Sequence, residues 1–134
     1  MTGGSVTPLL LMTKADVALS SAKALLARGD IDGAANRGYY AMFDAARAAL
    51  MVSGNLVGRD PGRTHSGLIS AFGLYLVKPG ILEKELGRML NRAHEVRQLA
   101  DYTDESVTLG DAEQMIRDAE TFVGSIRSVF FTDH

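Results

Sequence analysis

Asn36-Arg37-Gly38-Tyr39-Tyr40-Ala41-Met42-Phe43-Asp44-Ala45-Ala46-Arg47-Ala48-Ala49-Leu50 reads as the middle of a helix that is apolar or small nearly all the way round. Such a helix is buried. At about 100° per residue, Arg37, Tyr40, Asp44 and Arg47 fall within one arc of about 80°. The large residues Tyr39, Met42, Phe43 and Leu50, with Ala46, cluster on the opposite side. Gly38, Ala41, Ala45, Ala48 and Ala49 fill the flank, where their size admits a close neighbour. Two arginines in a buried helix need partners. The narrow polar strip is therefore either a solvated row of intrahelical ion pairs or the floor of a site.

Working outward, helical periodicity continues in both directions and no period-2 strand interrupts it. A first helix is expected from Thr13, with Asp16 three residues on, to about Arg28, and Gly29 stops it. Asp30 is placed to cap the second helix, which ends at Gly54 after Ser53. Residues 55–62 hold two more glycines and a proline and read as a loop. A third helix is expected over about Thr64–Val77, with Leu68, Phe72, Tyr75 and Leu76 on one face. Pro79-Gly80 breaks it. A fourth runs from about Ile81 to Asp101 on a stripe of Leu82, Leu86, Met89, Leu90, Ala93 and Val96. After a polar loop at 103–107, Thr108 caps a fifth, striped by Met115, Ala119, Phe122, Val123, Ile126 and Phe130.

Short loops between long amphipathic helices make neighbours antiparallel. The expected fold is all-α, an antiparallel up-and-down bundle of four main helices plus a shorter one. Residues 1–11 are expected to be a flexible N-terminal arm and residues 12–134 a single domain.

The chain has 134 residues, 46% of them hydrophobic, a net charge of −2 and no cysteine. That is long enough for one core and too apolar for a disordered chain. The near-neutral balance gives no global attraction to nucleic acid or membrane, so an anionic partner needs a local cluster. Without cysteine there is no disulfide or thiolate chemistry, which fits a cytoplasmic protein. Leu9-Leu10-Leu11-Met12 is too short for a signal peptide or a membrane span. No glycine-rich phosphate loop follows a strand, and no HExxH, Glu-xx-His or Cys/His pattern occurs. Neither a metal nor a cofactor is expected.

On the fourth helix His94, Arg97 and Asp101 share one edge of the core face, and Arg97 and Asp101 are spaced to pair. His65 opens the third helix on the face of Leu68, Ile69 and Phe72. The arginines of the second and fourth helices are expected to converge on one pocket. Guanidinium groups there would suit phosphate or carboxylate. The blander readings are an edge ion pair for Arg97 and Asp101, and a packing or capping role for His65. Phe122, Phe130 and Phe131 read as core or interface aromatics, and Arg59-Asp60-Pro61-Gly62-Arg63 as a solvated turn.

Three ordered stretches resemble the HEPN family of helical nucleotide-binding domains. They are Arg37-Gly38-Tyr39-Tyr40-Ala41-Met42-Phe43-Asp44-Ala45-Ala46, Thr64-His65-Ser66-Gly67 followed by Phe72 and Val77-Lys78, and Arg97-Gln98-Leu99-Ala100-Asp101-Tyr102. The resemblance spans about residues 13–130 and is to the small stand-alone prokaryotic members. It implies a bundle that dimerises, a cleft facing nucleotide or RNA, and a toxin–antitoxin-like setting beside a minimal nucleotidyltransferase.

Many members are metal-independent ribonucleases that use an arginine and a histidine four to six residues apart. Arg97 aligns with that arginine, yet Tyr102, Thr103 and Asp104 stand where the histidine belongs. Arg88 and His94 meet the spacing formally but lie about 120° apart around the helix. The resemblance, with that departure, implies a weakly catalytic or non-catalytic module that binds nucleotide, RNA or a nucleotidyltransferase partner. Arg37, Tyr40, Asp44, Arg47, His65, Asp101 and Tyr102 would form its binding surface, with His94 and Arg97 as the catalytic candidates. An active ribonuclease toxin and a structural helical adapter are the alternatives.

Overall fold

A computed structural model describes residues 6–55, 64–102 and 106–132, without the side chains of Asp101 and Tyr102. The described chain is all α-helical: α1 (Pro8–Ala27), α2 (Ile31–Val52), α3 (His65–Phe72), α4 (Lys84–Tyr102) and α5 (Leu109–Phe130). A π-helical turn, Gly73–Val77, extends α3. Four long helices and one short element form the bundle that the periodicity implies.

The caps explain where helices start. Asp30 accepts from the Gly33 N–H at 2.9 Å, Thr64 from Gly67 at 2.9 Å and Thr108 from Asp111 at 3.0 Å. Each satisfies a donor that the first turn cannot pair. Two helices stop at glycines of positive φ, Gly29 at 88° and Gly54 at 82°.

Two boundaries and one helix face differ from the sequence reading. α1 begins at Pro8, because Thr7 accepts from the Leu10 N–H at 3.1 Å and Pro8 suits a first turn. Thr13 sits inside that helix and donates back to the Leu9 carbonyl at 3.1 Å. Pro8–Leu11 are therefore helix and not arm, and Leu11 is buried; residues 1–5 of the expected arm lie outside the described residues. α4 begins at Lys84, not Ile81, after a turn in which Gly80 takes φ 85°. Finally, Lys78 N–H bonds the Gly73 carbonyl at 2.8 Å, five residues back. That wider turn rotates the face, so Tyr75 is exposed while Leu76 stays buried. The charged turn Arg59–Arg63 lies outside the described residues.

α2 is the central helix, touching α1, α3, α4 and α5. Its alanines Ala41, Ala45, Ala46, Ala48 and Ala49 have no exposed surface, and neither do Ala15 and Ala18 of α1. Small side chains let these two helices pack along their length. At Gly38 the approach of α5 is closer still: a Cβ there would lie 2.9 Å from Cγ of Met115. Tyr39, Met42, Leu50, Phe72 and Phe122 fill the centre, each contributing roughly 1.5–3 kcal/mol by burial. Arg92 ties α4 to α5 through Asp118, with Nη2 at 2.8 Å, and Asp118 also accepts from Gln114 at 2.8 Å. Among the described residues no helix is long and apolar enough to cross a membrane.

Candidate functional site

Packing α3 and α4 onto α2 brings five side chains from three helices together. α2 supplies Tyr39 and Tyr40, α3 supplies His65, and α4 supplies His94 and Arg97. Tyr39 is fully buried, as its place on the apolar side requires. A buried phenol still needs a partner for its hydroxyl. That hydroxyl stands 2.5 Å from Nδ1 of His65 and 3.5 Å from Nδ1 of His94. The two imidazoles stack on each other with centres 6.2 Å apart and planes 18° apart. Phe43 closes over His65 at 4.7 Å between ring centres.

Arg97 completes the cluster. Its Cζ lies 5.1 Å from the centre of the Tyr39 ring and 5.1 Å from that of Tyr40, within cation–π range. Its Nη1 reaches Nδ1 of His65 at 3.1 Å. The same Nη1 lies 3.4 Å from Nε2, and a guanidinium only donates, so the nearer Nδ1 is the acceptor when it carries no proton. With its proton on Nε2, His65 offers one Nδ1 lone pair, which the Tyr39 hydroxyl and Arg97 share.

The surroundings set the protonation states. Burial pushes the Tyr39 phenol up to about 12, against the opposing pull of Arg97. His94 is lowered from its usual value, first by burial and then by the neighbouring Arg97 charge. Tyr39 thus stays a neutral phenol, and His94 is a neutral imidazole at physiological pH.

The polar strip of α2 runs beside this cluster. Arg37, Tyr40, Asp44 and Arg47 are all half-buried. Cζ of Arg37 lies 5.9 Å from the Tyr40 ring centre, on which Arg97 also converges. The two guanidiniums share an aromatic ring and not a cavity. Arg97 lines a cavity with Asn36 and Ala100, while Arg37 lines another with Lys14 and Asp44. Burial holds the Asp44 carboxyl above its usual range even though Lys14, Arg47 and Arg37 pull it down. Arg47, one turn beyond Asp44, lines neither cavity. Asp101 and Tyr102 belong to α4, but their side chains lie outside the described residues. Arg88, on the exposed face of α4, pairs with Glu85 at 3.5 Å and takes no part in the cluster.

Two residues escaped the sequence reading. Tyr39 belongs to the core, as its apolar face implies, but its hydroxyl joins His65 to His94. The signal was a phenol on an otherwise apolar face. Lys14 of α1 gave none, because its neighbours come from another helix. Among the described residues no three His, Cys, Asp or Glu side chains gather as a metal site.

A family model described as the HEPN domain matches residues 9–129. "Putative toxin MJ0605" of Methanocaldococcus jannaschii is 38% identical over 87% of this chain and 84% of its own length. A "UPF0332 protein" of Thermotoga maritima is 36% identical over 83% of this chain and 81% of its own. A third relative, "UPF0332 protein glr0978" of Gloeobacter violaceus, is 36% identical over 84% and 87%.

Proposed function

This chain belongs to the HEPN family, and we propose that it is a toxin-like member that binds the phosphate of an RNA strand at Arg97. One observation carries this reading. The Arg97 guanidinium is held against His65 and over the faces of Tyr39 and Tyr40, with Cζ 5.1 Å from each ring centre. A planar guanidinium held in place offers paired donors to phosphate oxygens. An aromatic ring beside it offers a surface on which a base can stack. The name of the Methanocaldococcus jannaschii relative supports the toxin-like setting. The resemblance supplies the rest of that setting, a homodimer partnered by a minimal nucleotidyltransferase.

The test is equilibrium binding of a labelled single-stranded RNA to the purified protein. Arg97→Ala is expected to weaken binding about tenfold or more, and Arg97→Lys to recover part of the loss. Equal binding by wild type and Arg97→Ala overturns the reading.

A second reading, RNA cleavage, is favoured by the Tyr39 hydroxyl standing between two imidazoles, one of them held neutral. In that chemistry one imidazole takes the proton of a ribose 2′-hydroxyl as its oxygen attacks phosphorus. The other gives a proton to the departing 5′-oxygen, and Arg97 balances the charge on the phosphorane. Incubation of RNA with the protein and a chelator is expected to give fragments ending in 2′,3′-cyclic phosphate. Both His65→Ala and His94→Ala should abolish them. Intact RNA after prolonged incubation with wild type leaves binding alone.

A further inference from the structure

Two cavities open along α2, and Tyr40, approached by an arginine from the lining of each, is the ridge between them. Towards α4 lies a cavity of about 270 Å³ that includes Asn36, Arg97 and Ala100. Towards α1 lies a groove of about 360 Å³, lined by Thr13, Lys14 and Val17 of α1 and by Arg37, Tyr40 and Asp44 of α2. Tyr40 stands on the ridge, with the Arg97 guanidinium on its ring and the Arg37 guanidinium 5.9 Å from its centre.

We propose that the groove between α1 and α2 is a second subsite, which takes the nucleotide adjoining the phosphate held at Arg97. The ligand is then a single-stranded oligonucleotide crossing the ridge at Tyr40, and not a mononucleotide. The inference rests on the reading of Arg97 as a phosphate site.

Four features converge on it. The groove, at about 360 Å³, is the roomier of the two cavities. Lys14 and Arg37 bring cations from two helices to its walls, against the single carboxylate of Asp44, so its balance is positive. Asp44 accepts hydrogen bonds only and repels phosphate. It suits a ribose hydroxyl or an exocyclic amino group, and it steers the phosphate towards Lys14. Val17 is 58% exposed on the wall and offers an apolar surface to the face of a base.

The experiment compares adenosine 5′-monophosphate with a four-nucleotide oligoadenylate on wild type, Lys14→Ala and Arg97→Ala. Lys14 is exposed, so its removal leaves the core untouched. Wild type should bind the oligonucleotide about tenfold more tightly than the monophosphate. Lys14→Ala should lose most of that advantage and leave monophosphate binding unchanged. Its slope of log affinity on log salt should fall by about 0.7, one phosphate contact on a single strand. Arg97→Ala should weaken both probes. If Lys14→Ala binds the oligonucleotide as wild type does, or loses both probes equally, the second subsite is wrong while the Arg97 site stands. If wild type binds neither probe, both fall together.

Discussion

Tyr39 and His65 meet twice: their rings lie nearly parallel, 15° apart with centres at 5.5 Å, and the phenol hydroxyl stands 2.5 Å from Nδ1 of the imidazole. The phenol thereby fixes the side chain that opens α3 relative to α2. Removing only the hydroxyl, in Tyr39→Phe, should cost about 1 kcal/mol and leave the fold intact. Urea unfolding would show a lower midpoint at unchanged slope. A midpoint equal to that of wild type would mean that the contact contributes nothing.

The same phenol makes the protein sensitive to alkali. Its pKa is about 12 in the fold against 10.0 for an ordinary tyrosine. Between those values the folded chain keeps a proton that the unfolded chain has released, so stability falls as pH rises through the window. The loss from this group is roughly 2–3 kcal/mol. Unfolding measured from pH 9 upward should show the decline in wild type and a shallower one in Tyr39→Phe. Parallel curves would refute it.

His94 titrates in the opposite region. Its folded pKa lies below 6.5, so the neutral ring is the form that the fold favours. Its contribution to stability is complete above pH 6.5 and is lost as pH falls through the lowered value. An NMR titration of the imidazole should give a midpoint below 6.5, and Arg97→Ala should move it upward by removing a neighbouring charge. A wild-type midpoint at or above 6.5 contradicts the geometry.

Gly38 separates helix propensity from packing. Alanine is the better helix former by about 1 kcal/mol. A Cβ at that position, however, would sit 2.9 Å from Met115 Cγ. Gly38→Val should therefore destabilise by about 2 kcal/mol or more. Met115→Ala in the same chain should recover part of the loss, a coupling that a double-mutant cycle would measure. Additive effects would place the strain elsewhere.

Much of the fold was legible because its determinants are local. Asp30, Thr64 and Thr108 cap through their own side chains, and Gly29 and Gly54 end helices by their own backbone freedom. The start of α1 is hidden in the sequence because Thr13 and Asp16 imitate a cap, while Thr7-Pro8 holds the true one. The π-helical turn left no mark, since nothing in Gly73–Val77 forbids an ordinary α-turn. The candidate site was legible residue by residue and not as an assembly. Spacing placed Arg37 and Tyr40 on one arc, and His94 and Arg97 on one edge. It could not show that His65 meets Arg97 across 32 positions of chain, or that Tyr39 links His65 to His94. Those encounters depend on how helices cross, which no helical wheel contains.

The alanine wall between α1 and α2 carries a consequence for how this sequence can drift. Leucine-rich cores trade volume among neighbours, and one side chain shrinks as another grows. A seam whose members are already methyl groups has nothing left to give up, so Ala15, Ala18, Ala41, Ala45 and Ala48 are free to become little except glycine or serine. Ancestry should be written most durably along that seam, and homologues too distant to share a ligand should still share its succession of small residues.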